Sequence, residues 1–421
     1  MVEIRKPIPV EEAIKRVMAY SRLGEIETIS FHNCDQRRLA EPIIATNDIP
    51  SFDKSPYDGY ALRSEDTIFA SPDHPITFEV IDHIGAGEVS DKVLKQGQAI
   101  RIMTGAKIPD GADCVAMFEE CQEWEDQGQL YMAITKEFSK DQNIIKVGSE
   151  VCEGDVLVEA GTFINPGVKA LLATFGYSQV KVAKKPIVGV IATGTELLDV
   201  DEPLEPGKIR NSNAYMIESQ ILRAGAEYKY YGTLADELEP SYERIKSVLE
   251  EVDILITTGG VSVGDFDLMP AIYEKLGAQI LFNKVAMRPG SVTTVATLGD
   301  KLLFGLSGNP SACYVGFELF TRPIINRLLR NQTPYLKRVQ GKLAVDFPKA
   351  NPFTRFVRSY ITFEEGNVYV HLAGIDKSNV VTSLARTNAL MVLPGGTTGY
   401  QKGDQVDVLL VDTQEGQESF E

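Results

Sequence analysis

The sequence predicts a multidomain α/β protein with a central, mostly parallel, doubly wound sheet. Its 421 residues suffice for about three domains. From residue 186 onward, apolar strands alternate with glycine-rich loops and amphipathic helices, which is typical of a parallel sheet covered on both faces. Before and after that region, short β-type runs separated by Gly, Pro and Asp predict smaller β-rich domains.

Composition narrows the class of protein. Hydrophobic residues make up 43% and charged residues 24% of the chain, which excludes a disordered, fibrous or disulfide-scaffold protein. The net charge of -17 argues against nucleic-acid binding through backbone phosphates. An anionic ligand therefore needs cations, helix N-termini or a metal placed locally. The five cysteines are odd in number and widely spaced, so we expect buried free thiols rather than a zinc site.

Neither a membrane span nor a secretion signal is expected. No run approaches the ~18 apolar residues that cross a bilayer. The first sixteen residues lack the apolar stretch of a signal peptide. The sequence therefore favours a cytoplasmic protein without a membrane partner.

Up to residue 183, the pattern predicts an elongated N-terminal part into which a β-rich domain is inserted. Val10, Ile14 and Val17 recur at helical spacing after Pro9, so a helix opens the chain. A second helix is predicted at residues 168–175. The β-type runs of the inserted domain cover residues 76–84, 99–103, 114–118 and 130–138.

The central region repeats strand, loop and helix in turn. Ligands of such sheets bind beyond the carboxyl ends of the strands, where its glycine-rich loops fall. Residues 334–412 alternate once more and predict a separate C-terminal β domain. The central strands are expected at 187–191, 228–231, 254–257, 292–298 and 302–306, and the helices at 214–224, 242–251 and 311–329.

The loop of residues 257–267 is the strongest local signal for a ligand site. Gly259 and Gly260 allow backbone N–H groups to approach a ligand closely, and Ser262 adds a hydroxyl. Asp265 and Asp267 end the loop, and carboxylates beside a phosphate cradle suit a bridging Mg²⁺. A plain strand-to-helix turn with an Asp cap is the alternative.

Two further acids belong to the same edge of the predicted sheet. Glu196 and Asp236 also close strand-loop segments, so the edge carries several carboxylates. Without a cation, such carboxylates would repel one another and their pKa values would rise. The group therefore indicates a metal or a bound Lys or Arg, although each acid alone could be a cap or a solvated surface group.

A cationic segment and a helix start predict an anion pocket. Lys284 and Arg288 lie four residues apart on an extended segment, where surface salt bridges are the alternative role. Gly308, Asn309 and Pro310 lead into the helix at 311–329, whose first N–H groups would face a bound anion. A phosphate-bearing substrate would use both features.

Taken in order, several motifs resemble those of the molybdopterin molybdenumtransferase family, which includes the E domain of gephyrin. The resemblance covers residues 5–412, and the order of the motifs is more specific than any one of them. The motifs are FDKSPYDGYA, RIMTGA, ATGTEL, TTGGVSVGDFD, the MRPG segment, GLSGNP and the final β domain.

The resemblance implies a four-part homodimer. An elongated N-terminal domain would comprise residues 1–30, 44–54 and 140–183, and an inserted β-rich domain residues 31–43 and 55–139. A central molybdopterin-binding α/β domain would span 184–331, and a β-barrel-like domain 334–412. Molybdopterin adenylyltransferase and the molybdoenzyme maturation machinery are the further partners that the resemblance implies.

The implied reaction inserts molybdenum from molybdate into adenylylated molybdopterin and releases AMP, with Mg²⁺ as cofactor. Glu196, Asp236, Asp265 and Asp267 would hold the metal, and Asp58, Glu196, Asp236 and Asp267 would be catalytic. Asp58 and Thr104 would face the pocket of the other subunit. The residues that would bind the substrate or its negative charges are Thr104, Gly259, Gly260, Ser262, Lys284, Arg288, Gly308, Asn309, Pro310, Arg358 and Ser383.

Other functions stay open at this point. An adenylyltransferase that makes the intermediate would share the central fold, but it would not need the N-terminal and C-terminal parts. A gephyrin-like dimeric scaffold would not need an acidic cluster. Tungstate is an alternative to molybdate, because Ser149-Glu150, Arg288, Ser291 and Ser307 depart from the family's pattern.

Overall fold

The computed structural model describes residues 6–234, 237–260 and 268–420. The chain divides into two compact units. The first unit contains the chain up to Glu41, residues Ala160–Ala170, and the chain from Ser178 onward. The second contains Pro42–Glu159 and Leu171–Tyr177. The finer four-part division stays a prediction.

Within its described part, the chain up to residue 183 forms one six-stranded sheet and two α-helices. Within the second unit the strand order is β6-β3-β5-β4-β8-β7, and only β4 and β5 pair in parallel. The elements up to residue 183 are α1 (Val10–Met18), β1 (Ile26–Ser30), β2 (Ile43–Ile44), β3 (Gly59–Leu62), β4 (Ile76–Ile84), β5 (Gln98–Ile102), β6 (Cys114–Met117), β7 (Cys121–Asp126), β8 (Gln129–Ile134), β9 (Val156–Val158), α2 (Pro166–Thr174) and β10 (Gln179–Ala183).

The four predicted runs of the inserted domain are all strands, but the sequence did not predict β7. The interior side chains of the sheet include Tyr60, Phe78 and Met132, which are fully buried. Strand β7 reads CQEWED and is exposed at every position after Cys121. It lacks apolar alternation because it covers no core, so only its pairing with β8 makes it a strand.

Helix α1 belongs to the first unit and is fixed by its amphipathic pattern. Val10, Ala13, Ile14 and Val17 are buried on one face. The first turn is acidic and the last turn is basic, which complements the helix dipole at both ends. The predicted opening helix is therefore confirmed.

The central sheet has the order β14-β11-β15-β19-β18-β16. Strands β14, β11, β15 and β19 are parallel, whereas β18 is antiparallel to both of its neighbours. The predicted mostly parallel sheet is thus confirmed. The helices and strands of this part of the chain, of which β12, β13 and β17 lie outside the central sheet, are β11 (Ile187–Thr193), β12 (Leu197–Leu198), β13 (Ile209–Arg210), α3 (Ser212–Arg223), β14 (Glu227–Leu234), α4 (Leu238–Glu251), β15 (Ile254–Thr258), α5 (Met269–Leu276), β16 (Gln279–Phe282), β17 (Met287–Arg288), β18 (Thr294–Leu298), β19 (Lys301–Leu306), α6 (Pro310–Gly316) and α7 (Arg322–Leu328).

Helices cover both faces of this sheet because successive side chains of a strand point to opposite sides. Ile254 and Ile256 belong to one apolar cluster, with Ile217 of α3. Leu255, between them, belongs to the other, with Val248 of α4. Helices α6 and α7 are joined by a π-helical turn at Phe317–Thr321, so the predicted helix over 311–329 is interrupted.

A closed five-stranded barrel forms the C-terminal part. Its strands follow the cyclic order β22-β23-β21-β25-β24, and the pairing of β22 with β24 closes it. Val357, Val370 and Met391 are among its fully buried interior side chains. The elements are β20 (Tyr335–Leu336), β21 (Arg338–Leu343), β22 (Thr354–Glu364), β23 (Asn367–Leu372), β24 (Ala389–Leu393), β25 (Gln405–Leu410) and β26 (Gly416–Gln417).

The cysteines follow the prediction only in part. Cys34, Cys114 and Cys313 are buried free thiols, and Cys121 is half-buried. Cys152 is exposed, against the prediction, because it lies in a turn rather than in a core. No helix among the described residues is long and apolar enough to span a bilayer.

Candidate functional site

A cavity of about 760 Å³ lies at the carboxyl ends of the parallel strands β11, β15 and β19. Three loops contribute to its wall, each following one of these strands: residues 193–197, 258–260 and 307–310. Loops of adjacent parallel strands meet at one edge of the sheet, which is where ligands of open α/β folds bind. Glu196, Gly259, Gly260, Gly308, Asn309 and Pro310, all predicted site residues, line this cavity.

Two of its glycines are required by the neighbouring loop. Gly259 and Gly260 have φ values of +91° and +59°, in the left-handed region. A Cβ on Gly259 would lie 2.6 Å from the Thr193 carbonyl oxygen, and a Cβ on Gly260 would lie 2.8 Å from Thr193 Oγ1. A Cβ on Gly308 would meet only the Gly259 Cα, at 3.5 Å. The first two glycines therefore permit close packing of the β11 and β15 loops, whereas Gly308 has room.

Asn213 joins three walls of the cavity and was not predicted from the sequence. It lies in the first turn of α3, is 7% exposed, and donates from Nδ2 to Thr258 Oγ1 at 2.8 Å and to the Gly308 carbonyl at 2.9 Å. A carbonyl acceptor fixes the amide orientation, since only the NH₂ group can donate to it. Its Oδ1 is buried and has no hydrogen-bond partner within the described chain. Free polar atoms at such depth favour a ligand-binding role.

The N-terminal end of α3 also faces the cavity. Asn211 caps the helix by accepting from the Ala214 N–H at 3.2 Å, and it donates to the Tyr230 hydroxyl at 2.9 Å. Arg210 immediately precedes this cap. Among the described residues that line the cavity, Arg210 is the one cation and Glu196 the one carboxylate.

The helix start after β19 is held by the C-terminal part of the chain. Ser311 donates its N–H to the Ser378 carbonyl at 3.0 Å and its hydroxyl to the Val380 carbonyl at 2.5 Å. Asn379, between those two acceptors, lines the cavity. The prediction that the first N–H groups of this helix face an anion is therefore wrong for Ser311, because a protein carbonyl takes that donor.

Arg358 and Ser383 lie together beneath the segment that carries Asn379. Arg358 is 2% exposed, and its Nε donates to Ser383 Oγ at 2.9 Å. Its Nη2 donates to the carbonyls of Ile375 and Lys377 at 3.2 and 3.1 Å. Burial lowers the pKa of the Arg358 guanidinium. Its Nη1 is buried without a partner among the described residues. These two predicted anion-binding residues are thus adjacent, but they do not line the cavity.

The two predicted cations lie outside the cavity lining. Lys284 is half-buried, and its carbonyl accepts from the Ile8 N–H at 3.2 Å. Arg288 is exposed on β17, where it pairs in register with Arg355 of β22.

Asp58 and Thr104 form a pair within the second unit. Asp58 Oδ1 accepts from the Thr104 N–H at 2.7 Å and from its Oγ1 at 2.8 Å. These two bonds stabilise the carboxylate and hold the pKa of Asp58 below its usual range. Both residues are exposed. The structure therefore brings together two residues that lie 46 positions apart in the chain.

Most of the predicted metal ligands lie outside the described residues. Asp236, Asp265, Asp267 and Ser262 lie outside them. Within the described ranges, no group of three acidic, His or Cys side chains is arranged to hold a metal ion. Glu196 alone of the predicted ligands is described, and it is exposed at the cavity.

No cysteine of the cavity region is suited to nucleophilic chemistry. Cys313 is fully buried beneath Thr258, with 3.9 Å between its Sγ and Thr258 Oγ1. Burial raises the pKa of the Cys313 thiol to about 12, so it is protonated at neutral pH.

Three protein-family models match successive parts of the chain. Residues 8–176 match the MoeA N-terminal region (domain I and II), residues 189–327 the probable molybdopterin binding domain, and residues 340–411 the MoeA C-terminal region (domain IV). A molybdopterin molybdenumtransferase of Bacillus subtilis (strain 168) is 56% identical over 418 residues, covering 99% of this chain and 97% of that protein. The chain belongs to the molybdopterin molybdenumtransferase family.

Further family members and solved structures agree. A molybdopterin molybdenumtransferase of Staphylococcus epidermidis is 52% identical over 422 residues, covering 100% of this chain and 99% of that protein. A molybdopterin biosynthesis MoeA crystal structure from Pyrococcus horikoshii matches with a TM-score of 0.85 at 28% identity, covering 97% of this chain and 100% of that chain. A second one matches with a TM-score of 0.80 at 29% identity, covering 96% and 100%. The predicted family and fold are thereby confirmed.

Proposed function

We propose that this protein is an enzyme of molybdenum cofactor biosynthesis that transfers molybdenum from molybdate to adenylylated molybdopterin and releases AMP. The carrying observation is 56% identity to a molybdopterin molybdenumtransferase along nearly the full length of both chains. The cavity at the edge of the central sheet is consistent with this reaction. Its volume of about 760 Å³ lies within the range that small-molecule sites occupy, roughly 300–1,000 Å³.

The cavity wall supplies groups that a phosphate-bearing, nitrogen-rich substrate needs. Gly259, Gly260, Gly308, Asn309 and Pro310 form its loops, and the first turn of α3 completes it. Asn213 Oδ1 is an unpaired acceptor beside these loops, suited to an N–H group. The residues of the chain bind and orient the substrate, and no protein nucleophile is required.

The oxyanion substrate would bind at Arg358 and Ser383, with Lys284 and Arg288 contributing positive charge. The free Nη1 donor of Arg358 supports this assignment, since a buried guanidinium N–H gains most from an anionic acceptor. Ser383 would hold the guanidinium in place through the bond to Nε. Molybdate and tungstate share this chemistry, and AMP release measured with each oxyanion distinguishes them.

Magnesium is the proposed cofactor, with Glu196, Asp236, Asp265 and Asp267 as its ligands. Support comes from their sequence positions after neighbouring parallel strands and from the exposure of Glu196 at the cavity. Mg²⁺ would neutralise negative charge on the phosphates. Glu196, Asp236 and Asp267 would also take part in catalysis, and Thr104 and Ser262 in binding.

A cytoplasmic homodimer is the proposed working form. In it, the Asp58–Thr104 pair would face the cavity of the other subunit. The two hydrogen bonds from Thr104 keep the Asp58 carboxylate charged and oriented, which suits a residue that meets a substrate. An adenylyltransferase would deliver the intermediate, and molybdoenzymes would receive the product.

An anaerobic turnover assay tests the function. The purified protein is incubated with adenylylated molybdopterin and Mg²⁺, molybdate or tungstate is added, and AMP is quantified. We expect AMP release that depends on the oxyanion and is lost when Mg²⁺ is chelated. Asp236→Asn or Asp267→Asn should abolish release in a protein that stays folded. Tight binding of the intermediate without release would instead indicate a carrier or scaffold.

A further inference from the structure

We propose that Arg210 binds a phosphate group of the substrate. This inference rests on the proposed function and adds a specific binding residue that the sequence did not predict. Arg210 ends strand β13 and directly precedes the N-cap of α3. Among the described residues that line the cavity, it is the one cation.

The charge of the chain makes a cation at this place important. With a net charge of -17, the protein as a whole repels phosphate groups, so binding depends on local positive charge. Lys284 and Arg288, which the sequence favoured for this role, do not line the cavity. Arg210 therefore supplies the positive charge that the cavity wall otherwise lacks within the described residues.

The guanidinium of Arg210 is available for a ligand. It donates from Nη2 to the Glu202 carbonyl at 3.1 Å and forms no ion pair with a described carboxylate. The bond to Glu202 restrains the side chain, which lowers the entropy lost when a ligand binds. The remaining N–H groups can form the paired, charge-assisted bonds that arginine makes to phosphate.

The adjoining helix start reinforces this preference for an anion. Ser212 and Asn213, in the first turn of the 12-residue helix α3, line the same cavity. The N-terminal end of a helix favours negative charge, and Asn211, which caps this helix, also lines the cavity. Arg210 and the α3 dipole thus act on the same ligand group.

The test compares Arg210→Gln with Arg210→Lys and with Lys229→Gln. Lys229 is a matched control, because it is an exposed cation on β14 of the central sheet, is paired with Glu251 and does not line the cavity. Titration calorimetry with AMP and, separately, with molybdopterin shows which phosphate ester contacts Arg210. Circular dichroism of each variant verifies that it is folded.

We expect Arg210→Gln to weaken binding of at least one probe by roughly 10- to 100-fold, the range for a lost charge-assisted hydrogen bond. Arg210→Lys should restore part of the loss, and Lys229→Gln should bind as the wild type does. Added salt should weaken the wild type more than Arg210→Gln. In turnover, KM should rise more than kcat falls.

The outcomes separate this inference from the proposed function. If Arg210→Gln binds both probes as tightly as the wild type does while the wild type still releases AMP, the assignment of Arg210 is wrong and the function stands. If the wild type releases no AMP but loses binding on Arg210→Gln, the phosphate site stands and the reaction is wrong. A wild type that binds neither probe would overturn the assignment.

Discussion

The central sheet and the C-terminal barrel use β-structure in opposite ways. The central sheet is open, and the loops after its parallel strands leave a cavity of about 760 Å³ at one edge. The barrel is closed by the β22–β24 pairing, and side chains such as Val357 and Met391 fill its interior. Among the described residues, the C-terminal part contributes Asn379 to the cavity lining. Space for a ligand thus arises where parallel strands end, whereas side chains fill the interior where strands close into a barrel.

This contrast predicts that stability and activity separate between the two regions. Met391→Ala removes a fully buried side chain of the barrel and should lower the free energy of unfolding by about 2–5 kcal/mol. Molecules that remain folded should keep their turnover number, because the substitution lies away from the cavity. Chemical denaturation and AMP release at low temperature measure the two effects. Phe363→Ala, on the same barrel but 75% exposed, is the control and should change neither.

Substitutions in the rim of the central sheet, meaning the loops after β11, β15 and β19 that line the cavity, should affect activity more than stability. Gly259→Ala places a Cβ 2.6 Å from the Thr193 carbonyl oxygen at a φ of +91°. This strain should lower the free energy of unfolding by about 1–3 kcal/mol and displace the cavity loop. AMP release should therefore fall more than stability does. Gly299→Ala is the matched control, because its φ of +61° is also positive, but its Cβ would meet nothing within 4 Å and it lies outside the cavity lining. Equal activity in the two variants would contradict the packing argument.

The amide of Asn213 allows a finer test of the rim. Asn213→Asp replaces the donor that faces the Gly308 carbonyl and Thr258 with an acceptor, so it should destabilise the protein by about 1–3 kcal/mol. Asn213→Ala removes the donor without adding repulsion and should cost less. Thermal unfolding ranks the two variants. If Asp were tolerated better than Ala, the assigned amide orientation would be wrong.

The smallest expected effect concerns the connection between the barrel and the rim. Ser311→Ala removes the hydroxyl bond to the Val380 carbonyl but keeps the backbone bond to Ser378, and it should cost about 0.5–1.5 kcal/mol. Looser placement of Asn379 should raise the KM for adenylylated molybdopterin and leave kcat nearly unchanged. Thr297→Ala is the control for loss of a hydroxyl. Thr297 lies on β18 of the central sheet, donates its hydroxyl to the Gly299 carbonyl and is outside the cavity lining. An unchanged KM would show that the barrel segment does not shape the cavity.

Local pattern accounts for most of the fold that could be predicted. The opening helix, the central strands and the alternating C-terminal strands all carry an apolar period that survives in the structure. Strand β7 escaped prediction because its side chains are nearly all exposed, and the π-helical turn because the apolar period runs through it. The glycine-rich loops at which the sequence predicted a ligand site do line the cavity. Arg210 and Asn213 were missed because a lone cation and a lone amide give no periodic or motif signal.

The sequence by itself determined the family, the fold class and the loops at which the cavity forms, since these follow from motif order and hydrophobic periodicity. Only the tertiary structure decided which polar groups face that cavity. It placed Arg210 and Asn213 in the wall, gave the Ser311 N–H a protein acceptor, and left Lys284 and Arg288 outside the lining. The physical reason is that a side chain's partners depend on which elements pack against it. That packing joins residues far apart in the chain, as with Asn213 and Gly308.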